Sequence, residues 1–73
     1  MMTIEERQAA TEEVKRIIEN ISDTKSHIAE YEDMVFNTPD EIDLIGCTRW
    51  LLQLKEQLKA QEEELSDYVL YLY

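Results

Sequence analysis

The sequence predicts an all-α protein: an antiparallel two-helix hairpin, coiled-coil-like, that dimerises into a four-helix bundle. Three observations carry this expectation. Leu44, Leu51, Leu58, Leu65 and Leu72 recur at a strict seven-residue interval. Val14, Ile21, Ile28 and Val35 keep the same interval in the first half of the chain, and Asn37, Thr38 and Pro39 interrupt the pattern between the two stripes. Apolar residues sustained at this spacing mark a helix built to pack along another helix. The 73 residues are read as one helical-hairpin domain, with helix 1 over about 4–36, a turn at 37–38 and helix 2 over about 39–72.

Each element has a local signal. Thr3 followed by Glu6 forms a capping box, in which hydroxyl and carboxylate satisfy backbone donors left open at a helix start. No glycine or proline follows until Asn37, so one helix of about 32 residues is permitted, roughly 48 Å long. Thr38, Pro39, Asp40 and Glu41 repeat the start signal, with threonine as cap and proline at the first helical position. The single glycine, Gly46, then falls inside helix 2, at a cost on the order of 1 kcal/mol relative to alanine, which points to close packing there.

The heptads also predict a register. With Val14, Ile21 and Ile28 at position a, Ala10, Ile17, Thr24 and Tyr31 fall at d. In helix 2 the leucines take a, and Cys47, Leu54, Gln61 and Tyr68 take d. A reversal at Asn37 makes neighbours of residues whose numbers sum to 75. Ile28 then faces Cys47, Thr24 faces Leu51, Ile21 faces Leu54, Ile17 faces Leu58, and Val14 faces Gln61. The same register sets Arg7 opposite Tyr68, where it can stack.

More apolar residues remain than one seam can cover. Ile18, Ile42, Ile45, Trp50 and Leu52 widen the apolar arc, and Tyr68, Val69, Leu70, Tyr71, Leu72 and Tyr73 are apolar around the whole helix circumference. Ile18, Ile42, Ile45, Trp50, Leu52, Tyr68, Tyr71 and Tyr73 are therefore the expected partner or dimer interface. A chain this small buries only about 60% of the surface its unfolded form exposes. One cysteine excludes an internal disulfide, so self-association is the expected support, and a two-fold homodimer its simplest form.

The formal net charge of −10 opposes direct contact with nucleic acid or anionic lipid, and any partner is expected to offer a basic or apolar groove. Glu30, Glu32, Asp33, Asp40, Glu41 and Asp43 form an acidic patch around the turn with no base among them, while the bases gather in the middle of each helix. Ordinary intrahelical pairs such as Glu12 with Arg16 and Glu56 with Lys59 are expected on the solvated faces. The N-terminal stretch has no apolar run of signal-peptide type, and no segment approaches the roughly 20 apolar residues of a membrane span. A cytoplasmic location is expected, the host cytoplasm if the protein is viral.

Catalytic chemistry has little to work with. His27 is the sole histidine and flanks the seam, Cys47 reads as a core thiol, and there is no glycine-rich loop. The di-iron bundle motif Glu-x-x-His fails because Thr24 precedes His27 by three residues, and the carboxylates near Asp40 suit capping better than a metal. No catalytic, cofactor or metal residue is assigned. The expected function is a small acidic, non-enzymatic interaction module that self-associates and occupies a partner's surface, as an inhibitor or adaptor does. The alternative is an acidic nucleic-acid mimic, of the kind a phage encodes, that blocks a host DNA- or RNA-binding defence or regulatory protein.

Overall fold

The computed structural model describes residues 2–72. Helix α1 spans Ile4–Asn37, and Thr3, in extended conformation, caps it by accepting the Glu6 N–H at Oγ1, 3.1 Å away. Glu5 and Glu6 lie in the first turn, where the helix dipole favours negative charge. At the other end the Thr38 N–H and Oγ1 both donate to the Met34 carbonyl, at 2.9 and 3.1 Å. Thr38 thus closes α1.

Helix 2 begins later than the sequence suggested. Pro39–Glu41 form a single 3₁₀ turn, closed by the Glu41 N–H on the Thr38 carbonyl, and Ile42 is extended. Helix α2 runs over Leu44–Leu72. Its cap is Asp43, whose Oδ1 accepts the Gly46 N–H at 3.2 Å and whose carbonyl accepts the Cys47 N–H at 2.8 Å. The expected threonine cap is not made: the Thr38 hydroxyl donates to the Met34 carbonyl and accepts no N–H of the following turn, and the proline dihedral suits a 3₁₀ turn as readily as an α-helix. Gly46 does mark a close approach, but to this cap: a Cβ there would lie 2.5 Å from Asp43 Oδ2.

The longer connection moves the register by one heptad. Thr24 Oγ1 donates to Gln61 Oε1 at 2.8 Å and accepts from Gln57 Nε2 at 3.3 Å, so it lies opposite the Leu58 turn and not opposite Leu51. Ile28 clusters with Leu51 and Leu54, flanked by Tyr31, Val35 and Leu58, and the expected contact with Cys47 is lost. A seven-residue slip leaves every a position facing a d position, so the hydrophobic pattern tolerates both alignments. The polar side chains separate them. In the expected register Thr24 and Gln61 would each face an aliphatic residue, whereas here Gln61 meets the Thr24 hydroxyl inside the seam, and burying an unpaired amide costs about 1–3 kcal/mol.

Ala10, Ile17, Ile21, Thr24 and Ile28 of α1 and Leu51 and Leu54 of α2 are buried, all at a or d positions. Val14, Cys47, Leu58, Leu65 and Leu72 are half-buried, and Leu44, the first leucine of the stripe, is exposed at the turn end. The result is a rod of 57 × 15 × 13 Å. Its radius of gyration, 16.8 Å, exceeds the about 11 Å expected for a compact chain of this length. Its accessible surface, 5923 Å², likewise exceeds the about 4,700 Å² typical of a monomer of this mass.

Candidate interaction surfaces

Two helices in contact along one seam leave both flanks of each helix open. Trp50 precedes the buried Leu51 and Leu52 follows it, and residues two apart on an α-helix project about 200° from one another. They therefore face opposite flanks of the rod, and the arc expected to join Ile18, Ile42, Ile45, Trp50 and Leu52 divides in two. Ile45 and Leu52, one heptad apart, share one flank and are 67% and 59% exposed. Ile18 follows buried Ile17, as Leu52 follows Leu51, and lies on the corresponding flank of α1. Ile42 is half-buried in the turn.

On the other flank Trp50 and Tyr71 lie three heptads apart, 45% and 81% exposed. Tyr68 and Tyr71 stack with ring centroids 6.1 Å apart and an interplanar angle of 28°. They line a shallow groove with Glu13, Ile17, Glu64 and Asp67, which establishes that these two flanks of α1 and α2 adjoin. The groove is held from above by Arg16, which bonds Glu13 on its own helix and Glu64 across the groove at 2.9 Å. The Arg16 hydrogen bond holds the Glu13 carboxyl below the usual glutamate range, and the two carboxylates in turn strengthen the guanidinium charge. Glu12 pairs with Lys15 at 3.5 Å, not with Arg16. Arg7 lies away from Tyr68, beside Leu72, as the one-heptad shift requires.

The turn end gathers the acidic patch. Glu30, Asp33, Asp40, Glu41 and Asp43 are exposed and Glu32 is half-buried. Two of them serve the backbone and its neighbours: Asp43 caps α2, and Asp33 accepts the Asn37 side-chain amide. The last turn of α1 carries no base, so its partial negative charge adds to the patch. Among the described residues no three His, Cys, Asp or Glu side chains are arranged to hold a metal ion, and no helix is long and apolar enough to cross a membrane. His27 is exposed and Cys47 half-buried.

Sequence reasoning passed over Phe36 and Ile4, which are 77% and 75% exposed. Both were legible in the repeat: Phe36 follows a seam residue as Leu52 does, and Ile4 precedes Ile18 by two heptads. Tyr73, expected at the interface, lies outside the described residues. No family model, curated protein or solved structure matches this chain.

Proposed function

We propose that this protein is a non-enzymatic interaction module: a hairpin that self-associates and acts by occupying a surface of another protein. The observation that carries this reading is the excess of exposed large apolar side chains on a rod with a one-seam core. Ile4, Phe36, Ile45, Leu52, Leu70 and Tyr71 are each more than half exposed, while the buried apolar set among the described residues is Ala10, Ile17, Ile21, Ile28, Leu51 and Leu54. Apolar surface on this scale marks contact sites. The aromatic groove at the open end, with Trp50 farther along the same flank, offers the large side chains that dominate interface energetics, and its carboxylates favour a partner carrying basic residues.

The test has two arms. Sedimentation equilibrium at micromolar concentration is expected to give at least twice the monomer mass, and a monomer would defeat the self-association half. Chains lacking residues 71–73 are then compared with wild type for capture of a partner from the source cell. Loss of capture by the truncated chain, with persistence of wild-type capture in high salt, supports docking through apolar contacts.

A second reading rests on the patch at the turn end, where Glu30, Asp40 and Glu41 have no basic partner among the described residues. Such a row of carboxylates suits mimicry of nucleic-acid phosphates before a basic groove. Replacing Glu30, Glu32, Asp33, Asp40 and Asp43 by their amides removes five charges at nearly constant shape. If only that variant loses the partner, and wild-type binding weakens steeply with salt, mimicry replaces docking as the function.

A further inference from the structure

The groove at the open end holds one cation of the chain's own and has room for a second. Arg16 lies across it, with Nε 3.2 Å from both Glu13 carboxylate oxygens and Nη2 2.9 Å from Glu64. One heptad nearer the open end, about 10 Å along the rod, Glu6 repeats Glu13 and Ala9 replaces Arg16, while Tyr71 on the opposing helix replaces Glu64. The structure brings these residues together. Glu6, Ala9, Glu13, Tyr68 and Tyr71 line one hollow, continuous with the groove that Arg16 crosses, and the stacked tyrosine pair supplies ring surface to it. Ala9 takes up none of the space that an arginine side chain occupies one heptad away.

Charge decides the class of occupant. Glu6, Glu63 and Asp67 line the same groove, and none has a base within ion-pair distance among the described residues. On this flank α2 presents Trp50, Gln57, Glu64 and Tyr71 at seven-residue steps, with no lysine or arginine in the row. Two copies meeting groove to groove would therefore oppose like charges. No three of the described carboxylates are arranged to hold a metal ion, whereas a guanidinium needs only one carboxylate to fork against and one ring face to stack on. We infer that an arginine from a basic segment of a different protein docks between Glu6 and the Tyr71 ring, in the place that Ala9 leaves open, as Arg16 does between Glu13 and Glu64. This rests on the docking proposed above, and it names the chemistry of the partner and the residues that receive it. Lysine suits the place less well, because its ammonium is more strongly hydrated and has no planar face.

The experiment titrates the full chain with hexa-arginine and with hexalysine peptides, equal in charge, at about 0.15 M salt, where exposed charges are screened beyond about 8 Å. Hexa-arginine is expected to bind at least about 3-fold more tightly, with the NMR amide signals of Glu6, Ala9 and Tyr71 moving most. Ala9→Arg supplies the missing guanidinium from the chain itself and is expected to weaken hexa-arginine binding by at least about 5-fold. Gln8→Arg adds the same charge beside Ile4 and Thr11, outside the groove, and is expected to change it by less than about 2-fold. Tyr71→Leu keeps apolar bulk without a ring face and is expected to erase the preference for arginine. Equal affinity for the two peptides, equal loss from Ala9→Arg and Gln8→Arg, or signal movement confined to the acidic turn would overturn this site. The docking reading would then still stand or fall by the capture experiment with the truncated chain. If Ala9→Arg, and not Gln8→Arg, lowers the sedimentation mass of the protein alone, the occupant is a second copy and the foreign partner is overturned.

Discussion

Thr24 and Gln61, thirty-seven residues apart, meet inside the seam with a 2.8 Å hydrogen bond from Oγ1 to Oε1. Gln57 donates to the same hydroxyl, and the hydroxyl also reaches the Asn20 carbonyl at 3.0 Å. Thr24 is 3% exposed, yet no buried side-chain polar atom among the described residues lacks a partner. A satisfied polar layer in an otherwise aliphatic seam costs stability and selects alignment, because a slip takes the Thr24 hydroxyl away from the Gln57 and Gln61 amides.

Breaking this layer on one side should be worse than removing it. Thr24→Val strands the Gln61 amide and is expected to destabilise by about 1–2 kcal/mol, whereas Thr24→Val with Gln61→Leu is expected to be near neutral or stabilising. Urea unfolding of both variants at one fixed protein concentration checks the contrast. Equal losses in the single and double variants would argue against the pairing.

Register can be trapped chemically. In a Cys47→Ala background, Ile28→Cys with Leu54→Cys should form a disulfide within one chain, since both residues belong to one core cluster. Ile21→Cys with Leu54→Cys should not, because Ile21 lies one heptad, about 10 Å, farther along α1. Mass spectrometry of the oxidised monomers reads the result, and the opposite pattern would restore the shorter turn.

The two capping candidates at the turn are not equivalent. Asp43→Ala removes the carboxylate that accepts the Gly46 N–H and is expected to cost about 1 kcal/mol. Thr38→Ala removes only a second bond to the Met34 carbonyl, which the Thr38 N–H retains, and is expected to cost less. Thermal melts of the two variants rank them.

Acid should release the Arg16 bridge. Glu13 has a lowered carboxyl pKa, first through its hydrogen bond with Arg16, so its contribution to stability is present above the ordinary glutamate value and is lost as pH falls through the lowered one. Because the pair is solvent-exposed, the effect on overall stability is expected to be small. The direct check is an NMR titration of the Glu13 side chain: Arg16→Gln is expected to move its midpoint upward, toward the ordinary glutamate range. An unchanged midpoint would remove Arg16 as the cause.

The sequence by itself determined the local and periodic features of this protein. Thr3 marks the start of α1, the absence of glycine and proline permits its length, and the heptads at Val14 and Leu44 assign which residues enter the seam, because each depends on neighbours within a turn or on a repeat readable along one helix. The tertiary structure decided the rest. A repeat of seven cannot distinguish alignments that differ by seven, so the choice between facing Ile28 with Cys47 and grouping it with Leu51 and Leu54 fell to the length of the turn and to the Thr24 layer. Thr38 and Asp43 both read as caps, and only the geometry of the 3₁₀ turn showed which backbone donors each one meets. Trp50 and Leu52 looked like parts of one surplus, and the position of buried Leu51 between them sends them to opposite flanks, since burial in a seam fixes the rotation of the whole helix.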